Sequence, residues 1–175
     1  LQARSRLSEV WVSAFSGDGV RIDATTPTAD ATGWVVEHST LTGNGGQGLF
    51  TNGTGSGGGT SLATTVSSNG GYGVYDSTDH AQLGNAFVSL YETSDTGGGY
   101  RSDASGAGST WIACSSASGT QLSDLRSPDM VFGGSINRAG TFNASVHIAG
   151  SSWILGGSAG ASGQVVTSNG SASAP

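Results

Sequence analysis

Apolar residues along this chain come in short runs, not at helical spacing. Val10-Trp-Val-Ser-Ala-Phe15, Trp34-Val-Val36, Ala86-Phe-Val-Ser-Leu-Tyr91 and Trp153-Ile-Leu155 are bounded by Gly, Asn, Asp and Ser. Such segments, rich in β-branched and aromatic residues, predict short strands. Glycine runs such as Thr42-Gly-Asn-Gly-Gly-Gln-Gly48 would break a helix within a turn. The runs also repeat as one phrase: an apolar residue, small polar residues, a glycine cluster, then bulky residues. The copies are Val12 to Ile22, Leu41 to Thr51, Val66 to Asp76 and, more loosely, Glu92 to Ser102. Their last glycines, Gly19, Gly48, Gly73 and Gly99, lie 29, 25 and 26 residues apart, and a weaker fifth copy runs from Ile112 to Leu122. A period in the twenties built from strands predicts a solenoid, one coil per repeat.

Stacked in parallel, such coils bury one residue in two. Glycine and asparagine are expected at the corners, where positive φ is needed. Residues 1–7 then read as a connector and 8–124 as four or five coils of a parallel β-helix. Near Leu125 the pattern changes. Ser127-Pro128 interrupts, Met130-Val-Phe132 follows, and Thr141 to Ala149 alternates cleanly, with Phe142, Ala144, Val146 and Ile148 on one face. That is a half-buried strand. Residues 125–157 therefore read as a small β-rich appendix too short to build its own core. Left bare, its apolar face would aggregate, and three chains around a cyclic axis would cover it. The expected trimer contacts are Met130, Phe132, Phe142, Val146, Ile148, Trp153 and Leu155. Residues 158–175 form a Gly/Ser-rich tail leading to a further region.

Two resemblances follow from these phrases. Asn44 to Thr51 and Asn69-Gly-Gly-Tyr-Gly-Val-Tyr-Asp76 resemble the coil phrases of right-handed, pectin-lyase-like β-helices. That resemblance implies an all-β fold: a short right-handed parallel β-helix followed by a β-rich trimerisation appendix. The fold hosts lyases, hydrolases, epimerases, adhesins and tailspikes, so it does not name an activity. Gly163-Gln-Val-Val-Thr-Ser-Asn-Gly170 is similar to a phrase of bacteriophage tail fibres and tailspikes, with Val166 where leucine is commoner.

The net charge of −6 and the absence of any basic run argue against nucleic-acid binding, since phosphates demand clustered Lys and Arg. No apolar stretch approaches the roughly 20 residues of a membrane helix. The chain lacks an initiator Met and a signal-peptide pattern, so it is expected to be a segment of something longer. The lone Cys114, in Trp111-Ile-Ala-Cys-Ser115, reads as a small buried hydrophobe and not as a nucleophile.

Candidate chemistry is thin. Polysaccharide-cleaving β-helices set carboxylates about 5 to 9.5 Å apart when they hydrolyse glycosides. The candidate acids are Asp18, Asp23, Asp30, Glu37, Asp76, Asp79, Glu92, Asp95 and Asp103. Most lie in Gly-flanked turns, where Asp caps backbone amides and stays solvated. Glu37 beside His38 and Asp79 beside His80 are adjacent pairs, which a strand sends to opposite faces. No catalytic residue, metal site or cofactor is assigned, and Asp76 to Asp79 lacks the ligand count for calcium. The expectation is therefore a structural virion protein, a tail-fibre or tailspike segment located in the virion tail and extracellular when acting. It would present a surface to a host-cell glycan as a homotrimer, joined to other tail proteins through a preceding part. The alternatives are a polysaccharide depolymerase on the same scaffold and a secreted bacterial adhesin. The expected glycan shelf is Tyr72, Tyr75, Asp76 and Tyr100, stacked in successive coils about 4.8 Å apart.

Overall fold

In the computed structural model, which describes residues 4–25, 31–104, 106–117 and 129–132, the chain is all-β, a parallel β-solenoid of about four turns. Each coil carries three short strands. The first has β1 (Arg6–Ser8), β2 (Trp11–Ser13) and β3 (Val20–Asp23), and the second β4 (Val35–Glu37), β5 (Thr40–Thr42) and β6 (Leu49–Gly53). The third has β7 (Thr60–Leu62), β8 (Thr65–Ser67) and β9 (Tyr72–Thr78), and the fourth β10 (Ala86–Val88), β11 (Tyr91–Thr93) and β12 (Gly98–Ser102). Then come β13 (Thr110–Ile112), β14 (Ser115–Ser116) and β15 (Met130–Phe132). Equivalent strands pair in parallel into three sheets: β1-β4-β7-β10-β13-β15, β2-β5-β8-β11-β14 and β3-β6-β9-β12. The stack thus starts at Arg6, within the expected connector. Past residue 124 it continues in parallel register through β15, which carries Met130 and Phe132. The other expected trimer contacts, Phe142, Val146, Ile148, Trp153 and Leu155, lie outside the described residues.

In the three-residue strands from β1 to β13 the middle side chain points inward and its neighbours point out. Register stacks these inward positions into columns. The first sheet aligns Leu7, Val36, Ser61, Phe87 and Trp111. The second aligns Val12, Leu41, Val66, Glu92 and Ser116. The third aligns Val20, Leu49, Val74 and Tyr100, and beside them Ile22, Thr51, Asp76 and Ser102. Inside the later coils Phe87 stacks on Trp111 at 4.1 Å, with Trp34 and Tyr100 tilted against this pair. Trp34 finds its room over Gly59, where any Cβ would overlap the indole. Its Nε1–H donates to the Ser56 carbonyl at 2.9 Å.

The corners meet the expectation in part: Gly33, Gly58 and Gly108 are left-handed two residues ahead of first-sheet strands, but the other two corners differ. The left-handed positions after the first-sheet strands are Glu9, His38, Ala63, Ser89 and Ala113, and those after the second-sheet strands are Ala14, Gly43, Ser68 and Ser94. Only one is glycine, although a left-handed residue with a Cβ costs roughly 1–2 kcal/mol. The repeat's glycines serve close approach instead. A Cβ on Gly48 would lie 2.6 Å from the Gly73 carbonyl oxygen, and one on Gly73 would lie 2.8 Å from that of Gly99. The asparagines also turn inward. Asn44 Oδ1 accepts the Phe15 N–H at 3.2 Å, and Asn69 Oδ1 accepts the Asn44 N–H at 3.1 Å. Asp95 Oδ1 accepts the Asn69 N–H at 2.7 Å. These three side chains fill one ladder beneath the second corner, where the strand hydrogen bonding lapses.

Asn69→Ala removes the acceptor for Asn44 and the donor to the Leu41 carbonyl, leaving buried groups unpaired. The expected loss is about 2–4 kcal/mol, read from urea unfolding. A loss below about 0.5 kcal/mol would show that the ladder is dispensable.

Candidate functional site

The four strands of the third sheet are longer than the others among the described residues. The sheet's outward columns are chemically distinctive. Arg21, Phe50, Tyr75 and Arg101 stack in register across the four coils. The Arg21 guanidinium lies 4.6 Å from the Phe50 ring centroid, Phe50 and Tyr75 are 5.1 Å apart, and the Arg101 guanidinium lies 4.9 Å from Tyr75. An arginine therefore closes each end of a two-ring aromatic ladder. Tyr72 widens it, 5.9 Å from Tyr75 and with Arg101 5.5 Å over its ring. Each such contact contributes roughly 0.5–1 kcal/mol at an exposed site.

Carboxylates and small polar groups flank this ladder. Arg21 pairs with Asp18 at 3.0 Å and Asp23 at 2.8 Å, and Arg101 pairs with Asp103 at 2.7 Å. The Tyr75 hydroxyl donates to Asp103 Oδ2 at 2.6 Å. Asp23, Asn52 and Ser77 form the next outward column. The Arg21 hydrogen bond holds the Asp23 carboxyl below its ordinary range. Partial burial, with Asp103 adding, pushes the Tyr75 phenol up. Both guanidiniums are thus balanced by carboxylates, and the face is polar and aromatic without a strong field of either sign.

Two of the four expected shelf residues are elsewhere. Tyr72 and Tyr75 stand half-buried on this face, whereas Asp76 and Tyr100 are 0% exposed inside the coil. From Val74 the strand alternates in, out, in, so Tyr75 points out and Asp76 points in. Tyr100 pairs with Val74 and shares its inward direction. Its hydroxyl donates to the Ser115 carbonyl at 2.6 Å. Asp76 accepts from Thr51 Oγ1 at 2.7 Å, the Thr78 N–H at 3.1 Å, Asn85 Nδ2 at 3.3 Å and Ser109 Oγ. Neither can touch a ligand from there. Arg21, Phe50 and Arg101 take their place, and each is the second residue after the anchor glycine of its repeat, as Tyr75 is.

The remaining candidates do not converge on a reaction. His38 occupies a left-handed corner, while Glu37 turns to Arg6, whose Nε–H reaches its Oε1 at 2.7 Å and holds the carboxyl low. Asp79 is exposed, and His80 Nδ1 accepts the Gln82 and Leu83 N–H groups at 3.2 and 3.0 Å. Asp76, Glu92 and Asp95 are buried, contrary to the expectation of solvated turn acids, because the later coils carry a polar interior. Cys114 is buried as expected, its Sγ–H on the Phe87 carbonyl at 3.3 Å, and burial pushes the thiol up to about 11. Among the described residues no three His, Cys, Asp or Glu converge to hold a metal ion, and no helix is long and apolar enough to cross a membrane.

Asp103→Asn removes a negative acceptor from Tyr75, so the Tyr75 phenol should titrate lower than in the unaltered chain. Burial remains, so it should stay above the ordinary value near 10. Spectrophotometric titration of the phenolates reads this directly, and an unchanged Tyr75 midpoint would contradict the contact. Comparison with known proteins adds no relative: no family model, curated protein or solved structure matches the chain.

Proposed function

We propose that this chain is a rigid segment of a tail-fibre- or tailspike-type attachment protein, and that the outward face of the third sheet binds a host-cell glycan. The observation that supports this reading is the Arg21–Phe50–Tyr75–Arg101 ladder with Tyr72 beside it. Aromatic rings offer apolar faces to the C–H surfaces of a sugar, while the flanking Asp23, Asn52, Ser77 and Asp103 suit its hydroxyls. Because the arginines are already paired with carboxylates, the face favours a largely neutral saccharide over a polyanion. A sugar chain lying across the coils would meet groups that the sheet already holds in place, so little ordering cost opposes binding.

Tyr75→Ala and Arg101→Ala are expected to lower host-cell or glycan-array binding at least tenfold while the melting temperature changes by only a few degrees. Both side chains lie outside the interior, and the ring stacking and ion pairing each one makes is worth about 1–2 kcal/mol. Retained binding by both folded variants would remove this face from consideration. Release of new reducing ends or unsaturated uronates from the bound glycan would replace the attachment reading with a depolymerase.

The same proposal includes association in threes. The outward side of the first sheet supports it, since Leu62, Val88 and Ile112 align in one column next to Ala86. Their contiguity gives an apolar stripe of the kind that marks interfaces. Light scattering should report three chains per particle, and Val88→Glu with Ile112→Glu should yield a folded monomer. A monomer in the unaltered chain at micromolar concentration would contradict the trimer.

A further inference from the structure

The interior ladder beneath the second corner contains a substitution that changes its chemistry. At Asn44 and Asn69 the amide makes two kinds of bond to the preceding coil. Oδ1 accepts a backbone N–H, as described above, and Nδ2 donates to a strand carbonyl. That carbonyl is Val12 for Asn44, at 3.4 Å, and Leu41 for Asn69, at 3.1 Å. Val12 pairs with Leu41 and Leu41 with Val66, so the next carbonyl in the series is that of Val66. The next side chain is Asp95, not asparagine.

Asp95 Oδ1 keeps the amide oxygen's place, accepting from the Asn69 N–H at 2.7 Å and from Asn69 Nδ2 at 2.8 Å. Asp95 Oδ2 occupies the place of the amide nitrogen. A Cβ on Gly19 would meet Asn44 Nδ2 at 2.6 Å, one on Gly48 would meet Asn69 Nδ2 at 2.9 Å, and one on Gly73 would meet Asp95 Oδ2 at 2.6 Å. The three glycines are register equivalents, so the three atoms fill one repeated slot. Asp95 is 2% exposed, and its Oδ2 has no hydrogen-bond partner among the described residues. A slot that holds a donor in the two preceding coils here holds an oxygen.

We propose that Asp95 is held as a neutral acid that stands in for asparagine, and that its loss of a proton is a pH-sensitive latch on the coil leading into β12. A protonated Oδ2 supplies a donor where Nδ2 donates in the other coils, whereas an ionised one would leave a buried negative oxygen beside the Glu92 carboxyl. Among the described residues no cation faces it. From β11, Glu92 Oε1 accepts the Asp95 N–H at 3.2 Å, and Glu92 Oε2 accepts from Ser116 of β14. Tyr100 of β12 and Cys114 are the other titratable groups on this side, and Asn69, Val66 and Gly73 of the third coil carry no charge. Arg101 of β12 points outward. Burial pushes the Asp95 carboxyl up to about 7, against the pull of the Asn69 hydrogen bonds and with Glu92 adding to the rise.

The direction of the effect follows from linkage. The folded chain keeps this proton to higher pH than the unfolded chain, where the carboxyl titrates near 3.8. The stabilisation is complete below that ordinary value, declines as pH rises towards 7, and levels off above it. Because β12 follows Asp95 closely and carries Arg101, with Asp103 just beyond, loosening here would reach the outward face of the third sheet. The inference stands on the ladder alone and does not need that face to bind anything.

The test compares melting temperatures of the full chain and its Asp95→Asn variant from about pH 5 to about pH 9. The variant supplies the missing donor at every pH. Its curve should lie closest to the unaltered chain at the acid end and exceed it by about 5 °C or more at the alkaline end. Parallel curves, or a variant less stable at the alkaline end, would overturn the latch. Carbon-13 detection of the Asp95 carboxyl in the unaltered chain supplies an independent reading. A midpoint near 7 supports the proposal, and a midpoint in the ordinary carboxyl range refutes it whether or not the variant folds.

Discussion

Parallel stacking of equivalent strands at about 4.8 Å is the constraint on which the rest of this structure depends. Once each coil hydrogen-bonds to the next, every side chain sits directly over its counterpart. A residue type that fits once must fit again one coil on, or be replaced by something its neighbours can accept. The anchor glycines show how strict this is. Gly19, Gly48 and Gly73 recur because backbone oxygens of the following coil come within 3 Å of where a Cβ would lie. Their recurrence in the sequence is the trace of that approach, and it does not reflect a need for unusual backbone angles. The unusual angles fall on other glycines, such as Gly33, Gly58 and Gly108, and on His38, Ala63, Ser68, Ser89, Ser94 and Ala113, where a single left-handed residue turns the chain. Those strained corners persist because the strands on either side are fixed by their neighbours above and below.

The interior is not uniform along the axis. In the second sheet the inward column runs Val12, Leu41, Val66 and then Glu92 and Ser116, while in the third Ile22 gives way to Thr51, Asp76 and Ser102. A buried polar group is tolerable only when its hydrogen bonds are made. The coil geometry makes them easily, because a hydroxyl or amide always has an equivalent position one coil away. Asp76 gathers its donors from three coils in this way. The fourth coil is further braced by aromatic packing, with Phe87 on Trp111 and Tyr100 beside them. Apolar burial therefore dominates the first coils, and a mixed aromatic and polar core holds the later ones.

The solenoid was legible in the sequence because the period and the glycine clusters are direct consequences of stacking. Burial of Cys114 was legible for a similar reason, as a small residue within an apolar run. The outward face of the third sheet was harder to read. Tyrosine is compatible with either side of a strand, so its identity alone gave no direction to Tyr72, Tyr75 or Tyr100. Counting from the anchor glycine separates them. The first residue after it (Val20, Leu49, Val74, Tyr100) faces in, and the second (Arg21, Phe50, Tyr75, Arg101) faces out. Choosing residues by type and not by register placed Tyr100 on the shelf and left Arg101 off it. The buried acids were invisible for another reason. Gly-flanked Asp usually signals a solvated turn, and only the ladder position of Asp95 or the alternation at Asp76 reveals an inward carboxylate.

One strand shows why the core and the surface cannot vary independently. In β12, Tyr100 and Ser102 point inward while Arg101 points outward, followed by Asp103 on the same outward side. The inward pair ties the strand to Trp111 and to the Asp76 column, and the outward pair completes the contacts of Tyr72 and Tyr75. Fixing the backbone for the sake of the interior also fixes the guanidinium above both rings. Long side chains such as Arg ordinarily lose up to about 2 kcal/mol of conformational entropy when ordered. Here two rings and a carboxylate hold it in place. The outward ladder is pre-organised because its register is set by the inward one, so a change inside the fourth coil reaches the surface through the alternation of a single strand.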